Sequence, residues 1–438
     1  APEQTVVRLD ETPAPPQWMP TTWPLDSLSE VSNWRAGASR HDAFNVASVP
    51  LAPRPPRRGP RLLVCHDMMG GYVQDVHPQG GPEGDAFHIP AWDIVDTFVY
   101  FSHHLVTLPP PGWTNAAHRH GVQCLGTFIT EWEAGAEICS ELLASPESAE
   151  AYAGKLACMA AYYGFDGWLV NIENPIAIER VPTMVHFVAS LTRLTHAAVP
   201  GSAVLWYDAV TAEGKLQWQD TLNGLNAPFF DVCDGLFTNY TWKEGTPLQA
   251  ATAAGPRKPD VWMGVDVFGR NTFGGGKMTC HVALEAARAA GLSAALFAPG
   301  WVYEEGERSG WRERSDEFWQ LARAAWGAPR PAATQLPFVT SFNPGCGAAL
   351  YLEGRRALAA PWCHLSSQDL QPLFRTALAS VWDDGTKRPM HIRGVVSHET
   401  AYNGGACLKL SGSVAPGERA SFKLYNLQVP VGARGGAG

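Results

Sequence analysis

Phe165-Asp166-Gly167-Trp168-Leu169-Val170-Asn171-Ile172-Glu173-Asn174 reads as a buried apolar strand that ends in an amide and a carboxylate two positions apart. Successive strand side chains alternate faces, so Asn171 and Glu173 point the same way, roughly 6.5–7 Å apart along the strand. A carboxylic acid and a fixed amide projecting together from a strand's carboxyl end have the layout of a catalytic pair. The same two residues would equally serve to cap the following turn. The rest of the chain has to decide between these readings.

From Arg61 onward, short apolar runs alternate with longer amphipathic ones. The candidate strands are Arg61–His66, Thr97–Ser102, Gln123–Ile129, Gly167–Ile172, Ala203–Tyr207, Gly235–Tyr240, Val261–Val267 and Ala294–Ala298. Helices are expected between them at Pro146–Tyr163, Val181–His196 and Lys277–Ala290. The first of these opens on Ser145 as N-cap with Pro146 behind it and closes at Gly164. Eight repeats whose strands are apolar on both faces predict a (β/α)8 TIM barrel rather than an open doubly wound sheet. No GxGxxG follows the first strand and no P-loop occurs.

The barrel is expected to occupy residues 58–330. Residues 1–57 read as an N-terminal extension and linker, with one short helix near Ser27–Trp34 and a Pro/Arg-rich linker at Ala52–Pro60. Residues 331–438 lose the helical rhythm and read as an all-β sandwich module. Its strands are expected at Phe338–Phe342, Ala348–Leu352, Met390–Val395, Cys407–Ser411 and Arg419–Leu427. The Gly-rich stretch Val431–Gly438 suggests an incomplete module, and the start at Ala1 suggests a fragment.

A net charge of −9 without a basic stripe argues against nucleic-acid or anionic-membrane partners. Arg54, Arg57, Arg58 and Arg61 cluster among prolines and read as a solvated linker. No apolar run is long enough for a signal peptide or a transmembrane helix. The nine cysteines show no CxxC and no regular spacing, which favours a reducing compartment. A cytosolic protein is expected. Its 17 tryptophans suit sugar faces, although large cores also use them.

Active sites of such barrels form at the carboxyl ends of the strands. Those ends carry His66 and Asp67, His103 and His104, Glu131 and Trp132, Asn171 and Glu173, Tyr207 and Asp208, Asn239 and Tyr240, Asp266, and Trp301 with Tyr303. Carboxylates, amides and aromatic rings together suit a carbohydrate. A metal is not expected. His118 and His120 lie two apart on a predicted helix and would diverge, His103 and His104 fall on opposite strand faces, and no HExxH occurs. There is no GxSxG elbow and no cofactor fingerprint. Asp166 and Gly167 are expected to shape entry into their strand.

Glycoside hydrolysis remains, in two versions. An ordinary retaining enzyme needs two carboxylates about 5–5.5 Å apart. Glu173 would then pair with Asp208, Glu131 or Asp266 from another strand. In the substrate-assisted version, the sugar's 2-acetamido oxygen attacks the anomeric carbon. The protein then supplies an acid/base and a group that orients the amide, a role for which Asn171 is suited.

The chain resembles the cytosolic endo-β-N-acetylglucosaminidases of glycoside hydrolase family 85. The resemblance rests on the blocks Cys65–Tyr72, Val99–His104, Gly126–Trp132, Phe165–Asn174, Leu205–Asp208, Phe237–Tyr240, Gly264–Phe268 and Ala298–Trp301, with further likeness at Leu336–Asn343 and Trp362–Pro372. It implies retaining, substrate-assisted cleavage of the N-glycan chitobiose core through an oxazolinium. It assigns Glu173 as general acid/base, Asn171 as the acetamido-orienting residue and Tyr207 as a further contact to that group. Trp218 and Trp242 would line the glycan groove. Implied partners are N-glycans on glycoproteins or glycopeptides and free oligosaccharides, without a cofactor. The chitinase-type pattern DGxDxDxE is kept only at Asp166, Gly167 and Glu173. Leu169 and Asn171 replace its other acids, which argues against a chitinase-like two-carboxylate enzyme. A catalytically inactive barrel acting as a glycan-binding lectin is the rival from another class. Protonated Glu173 requires a pKa above about 4.3, expected here from burial among Trp168, Trp206 and Tyr207.

Overall fold

Ser145 Oγ accepts the Ser148 N–H at 3.2 Å, Pro146 occupies the first turn, and Gly164 ends the helix Pro146–Tyr163 at φ 79°. Such punctuation recurs along a computed structural model that describes residues 19–39, 41–55, 59–327, 330, 334, 336–371, 373–374, 377–382, 387–413, 416, 420–422, 425–426 and 429. The strands β1 (Leu62–His66), β2 (Thr97–Tyr100), β3 (Gln123–Glu131), β4 (Gly167–Glu173), β5 (Ala203–Tyr207), β6 (Gly235–Phe237), β7 (Val261–Asp266) and β8 (Ser293–Phe297) are all parallel. β1 pairs with both β2 and β8, and β2 pairs with β3, so the sheet closes into the expected TIM barrel.

The strands sort their side chains by the alternation of the pleat. Leu169 of β4 joins Leu63, Val99, Leu125, Leu205, Phe237 and Trp262 inside the barrel. Trp168, Val170 and Ile172 belong to the larger core between sheet and helices. Asn171 and Glu173 therefore continue the inward row of Leu169. Gly167 starts β4 at φ 135°, and a Cβ there would lie 1.9 Å from Ala203 O, so only glycine fits the entry.

The N-terminal segment packs on the barrel. Ser27 and Glu30 form a reciprocal capping box on the helix Leu28–Asn33. Leu28 and Val31 enter the main core, and Trp34 Nε1 donates to Tyr163 Oη at 3.1 Å. One expectation fails here. Arg54 is not a solvated linker residue, because its guanidinium donates to the carbonyls of Trp92, Val95 and Asp93 at the end of the β1–β2 connection. Those loop carbonyls lack ladder partners, and a forked cation satisfies several at once. Arg61 likewise bonds Asp260 at 2.7 Å and lies over the Trp262 ring. Arg57 and Arg58 lie outside the described residues.

Past the helix Trp311–Trp326 the described strands are antiparallel. Cys346–Gly347 pairs with Trp362–Cys363, and Leu350–Leu352 with Arg355–Leu358. Lys387–Ser397 lies between Ala377–Trp382 and Cys407–Ser411 in a four-stranded sheet edged by Ala420–Phe422. The expected strand Phe338–Phe342 does not form. Instead Thr340 Oγ1 donates to Leu370 O and Ser341 N to Asp369 Oδ2. Val431–Gly438 lies outside the described residues. Gln368 ties this region to the barrel by accepting Trp92 Nε1 at 2.9 Å and donating to Ile89 O at 3.1 Å.

Candidate active site

Asn171 Nδ2 donates to Glu173 Oε1 at 3.3 Å at the carboxyl end of β4. The amide is buried, and its Oδ1 has no hydrogen-bond partner among the described residues. Burial is the main cause that raises the Glu173 pKa. The Asn171 hydrogen bond and His103 oppose it, and the negative charge of Glu131 adds to it. A raised carboxyl is what a proton donor near neutral pH requires. The expected source of that burial needs correction. Trp168 and Trp206 face outward, the first donating to Leu156 O and the second stacked on Phe229 at 4.1 Å. Each is one position out of phase with the inward row.

The end of β3 brings a second carboxylate alongside. Glu131 is the register partner of Glu173. Its Oε2 lies 2.9 Å from His103 Nδ1, and His103 Nε2 lies 4.0 Å from Asp67 Oδ2. His104, which like His103 lies in the bend beyond β2, turns the other way to Asp26 at 2.6 Å. Trp132 follows Glu131 at φ 56° and is 64% exposed. A bulky aromatic held at positive φ with its ring in solvent is the strained, presented residue expected at a binding rim.

On the far side, Tyr207 Oη donates to Asn239 Oδ1 at 3.1 Å. Asn239 Nδ2 donates to Asp220 Oδ1 at 2.8 Å, which also accepts from Thr241 N. This chain fixes the orientation of the tyrosine, and burial keeps its phenol protonated. Tyr240 is half-buried beside it. Trp218 is partly exposed, and Trp301 packs half-buried against the core.

Several predicted contacts are placed elsewhere. Trp242 is buried, stacked on Phe273 and donating to Gly264 O at 2.7 Å, so its ring is not offered to the groove. Tyr303 is equally buried, its hydroxyl held by Gln74 and Arg308. Asp266 is fully buried and clasped by Arg270 through Nε at 2.8 Å and Nη2 at 3.0 Å, so neither of its oxygens is open to the groove. Asp208 is spent on Asn226 and the backbone N–H groups of Gln219 and Asp220. His66 is buried against Phe87 and Trp113, and burial pushes its pKa down to about 3, so it stays neutral. Arg270 and Asp220 escape a sequence reading, since both lie in loops without periodicity. His118 and His120 diverge, the first to Asp166 and the second to Ala116 O. Among the described residues no group of three or more His, Cys, Asp or Glu is placed to hold a metal.

The mouth of the barrel thus gathers an acid, an amide, a phenol and presented indoles, and residues 72–350 match the glycosyl hydrolase family 85 model. The chain belongs to that family. It is 45% identical over 434 residues to cytosolic endo-beta-N-acetylglucosaminidase 1 of Arabidopsis thaliana, covering 96% of this chain and 62% of the relative. It is 44% identical over 417 residues to the human cytosolic endo-beta-N-acetylglucosaminidase, covering 94% and 55%. The chain thus spans little more than half the length of these relatives. In fold it is similar to the glycoside hydrolase domain of Endo-D from Streptococcus pneumoniae R6, with a TM-score of 0.77 at 24% identity, covering 94% of this chain and 70% of that one.

Proposed function

We propose that this chain is an endo-β-N-acetylglucosaminidase that cleaves the β1,4 bond between the two core N-acetylglucosamines of N-glycans, with retention. Its substrates are N-glycans on glycoproteins or glycopeptides and free oligosaccharides. It acts in the cytosol, which accords with the cytosolic relatives and with nine free cysteines. The single observation that carries this reading is the buried Asn171 Oδ1, without a hydrogen-bond partner among the described residues, beside a Glu173 whose pKa is raised by burial.

In the first step, Asn171 Oδ1 accepts the N–H of the sugar's 2-acetamido group and turns its carbonyl oxygen toward the anomeric carbon. That oxygen forms the new bond to the anomeric carbon as the glycosidic bond breaks. Glu173 gives its proton to the leaving oxygen, producing a cyclic oxazolinium. In the second step, the Glu173 carboxylate takes a proton from water as the water oxygen attacks the same carbon and reopens the ring. Tyr207 presents a neutral hydroxyl to the same end of the sugar, and Trp132 and Trp218 offer faces to neighbouring residues.

The test is digestion of a defined N-glycopeptide by the full chain. Mass spectrometry should find peptide retaining one N-acetylglucosamine, and NMR should find the released glycan first as the β anomer. Binding without release would favour the lectin. Glu131 keeps a two-carboxylate alternative alive, because it stands in register beside Glu173. In that case Asn171→Ala would spare turnover and Glu131→Gln would abolish it.

A further inference from the structure

Three carboxylates and one imidazole converge where β1 to β4 end. Register pairing puts the Cα atoms of Glu131 and Glu173 about 4.8 Å apart. His103 spans Glu131 and Asp67, at 2.9 and 4.0 Å. A carboxylate meant only for a sugar hydroxyl needs no such tether. The ring of His103 is largely solvent-exposed, whereas Glu131 is mostly covered. The pair thus joins a mostly covered carboxylate next to the acid with an imidazole at the water boundary.

We propose that Glu131 and His103 form a positioning pair for the proton of Glu173, a role that rests on the reading of Glu173 as general acid. Glu131 opposes a second negative charge beside it and so holds the proton on Glu173. His103 fixes the orientation of Glu131 and limits its field. The pairing with Glu131 raises the pKa of His103, so the imidazole carries charge further toward neutrality than a free one.

Other groups facing the acid act less directly. Asp67 on the β1 side shares His103 and faces Glu304 from the β8 side. Tyr207 from β5 and Tyr240 after β6 are protonated phenols with raised pKa. After β7 the positive charge of Arg270 is matched by Asp266. Asn171 on β4 itself is neutral. Glu131 and His103 are therefore the charges that act most strongly on Glu173.

The experiment follows the Glu173 carboxyl by carbon-13 NMR of glutamate-labelled full chain, with the signal assigned from Glu173→Gln. Glu131→Gln removes an anion and should lower the Glu173 midpoint by about half to one pH unit. His103→Gln keeps a hydrogen-bonding side chain but removes the cation, and should raise that midpoint. Glu131→Asp keeps the charge and should stay close to wild type, which controls for damage to the fold. The alkaline limb of kcat/KM on an N-glycopeptide should move with each midpoint. Shifts of the same sign in Glu131→Gln and His103→Gln, or no shift in either, would overturn the proposal. Opposite shifts in a protein that does not cleave the glycopeptide would uphold the pair and sink the general-acid reading instead.

Discussion

His118 Nε2 lies 2.8 Å from Asp166 Oδ2 at the amino end of the strand whose other end carries Glu173. Asp166 Oδ2 also accepts Cys124 N at 2.8 Å, and His118 Nδ1 is held by Val49 O at 2.7 Å. One carboxylate thus joins β3, β4, a helix and the N-terminal segment, far from the chemistry.

Asp166→Ala is accordingly expected to cost stability. It strands a buried imidazole and a backbone N–H, a loss of about 3 kcal/mol. Urea midpoints would show it, with the slope unchanged. Burial depresses the His118 pKa, but the Asp166 hydrogen bond and charge outweigh it, so the folded value is raised. A raised histidine contributes stability that is full below its unfolded value of about 6.5 and is lost as pH climbs through the folded one. The cost of Asp166→Ala should shrink over that window. A cost that grows with pH would contradict the linkage.

Glu173→Gln should lower kcat on an N-glycopeptide at least about a thousandfold and leave the melting curve in place. Normal turnover would remove Glu173 from the mechanism.

Asn171→Ala should reduce kcat by about a hundredfold or more, since both the orientation of the acetamido group and the tether on Glu173 are lost. Its pH profile should shift as well, because the Asn171 hydrogen bond lowers the Glu173 pKa. Without that bond the acid holds its proton to higher pH. A profile that moves to lower pH would rule out this coupling.

Trp132 separates strain from binding. Trp132→Ala should raise KM several-fold with kcat little changed, while keeping the positive φ. Trp132→Gly should bind as poorly yet be more stable than the alanine variant by about 1 kcal/mol, since glycine accepts that conformation freely. Equal stability in the two variants would show that the backbone relaxes.

The barrel was legible because each strand is a short apolar run bounded by turn chemistry. Pro146–Tyr163 and Ala203–Tyr207 fall at the expected residues. The placement of Asn171 and Glu173 on one face followed from strand periodicity alone. That same periodicity was available for Trp168 and Trp206, which sit one residue out of phase with the inward row. Proximity in sequence had suggested otherwise. Trp242 and Tyr303 were harder, because whether an aromatic at a strand end turns into a groove or back into the core depends on loops that fold over it. The clasp of Arg270 on Asp266 and the Asp220 chain join residues across loops, where no period exists to read. Arg54 was misjudged because the carbonyls it satisfies belong to a connection about forty residues away.

The pleat of β4 carries a consequence for how this protein can fail. The row Leu169, Asn171, Glu173 faces inward and the row Trp168, Val170, Ile172 faces the helices. A slip of one residue in its pairing with β3 would drive an amide and an acid into the greasy helix layer, a tryptophan into the barrel interior and Ile172 into the mouth. The structural error and the loss of chemistry would be the same event. Folding therefore proofreads the reactive groups, and a molecule that has closed its barrel has already aligned them.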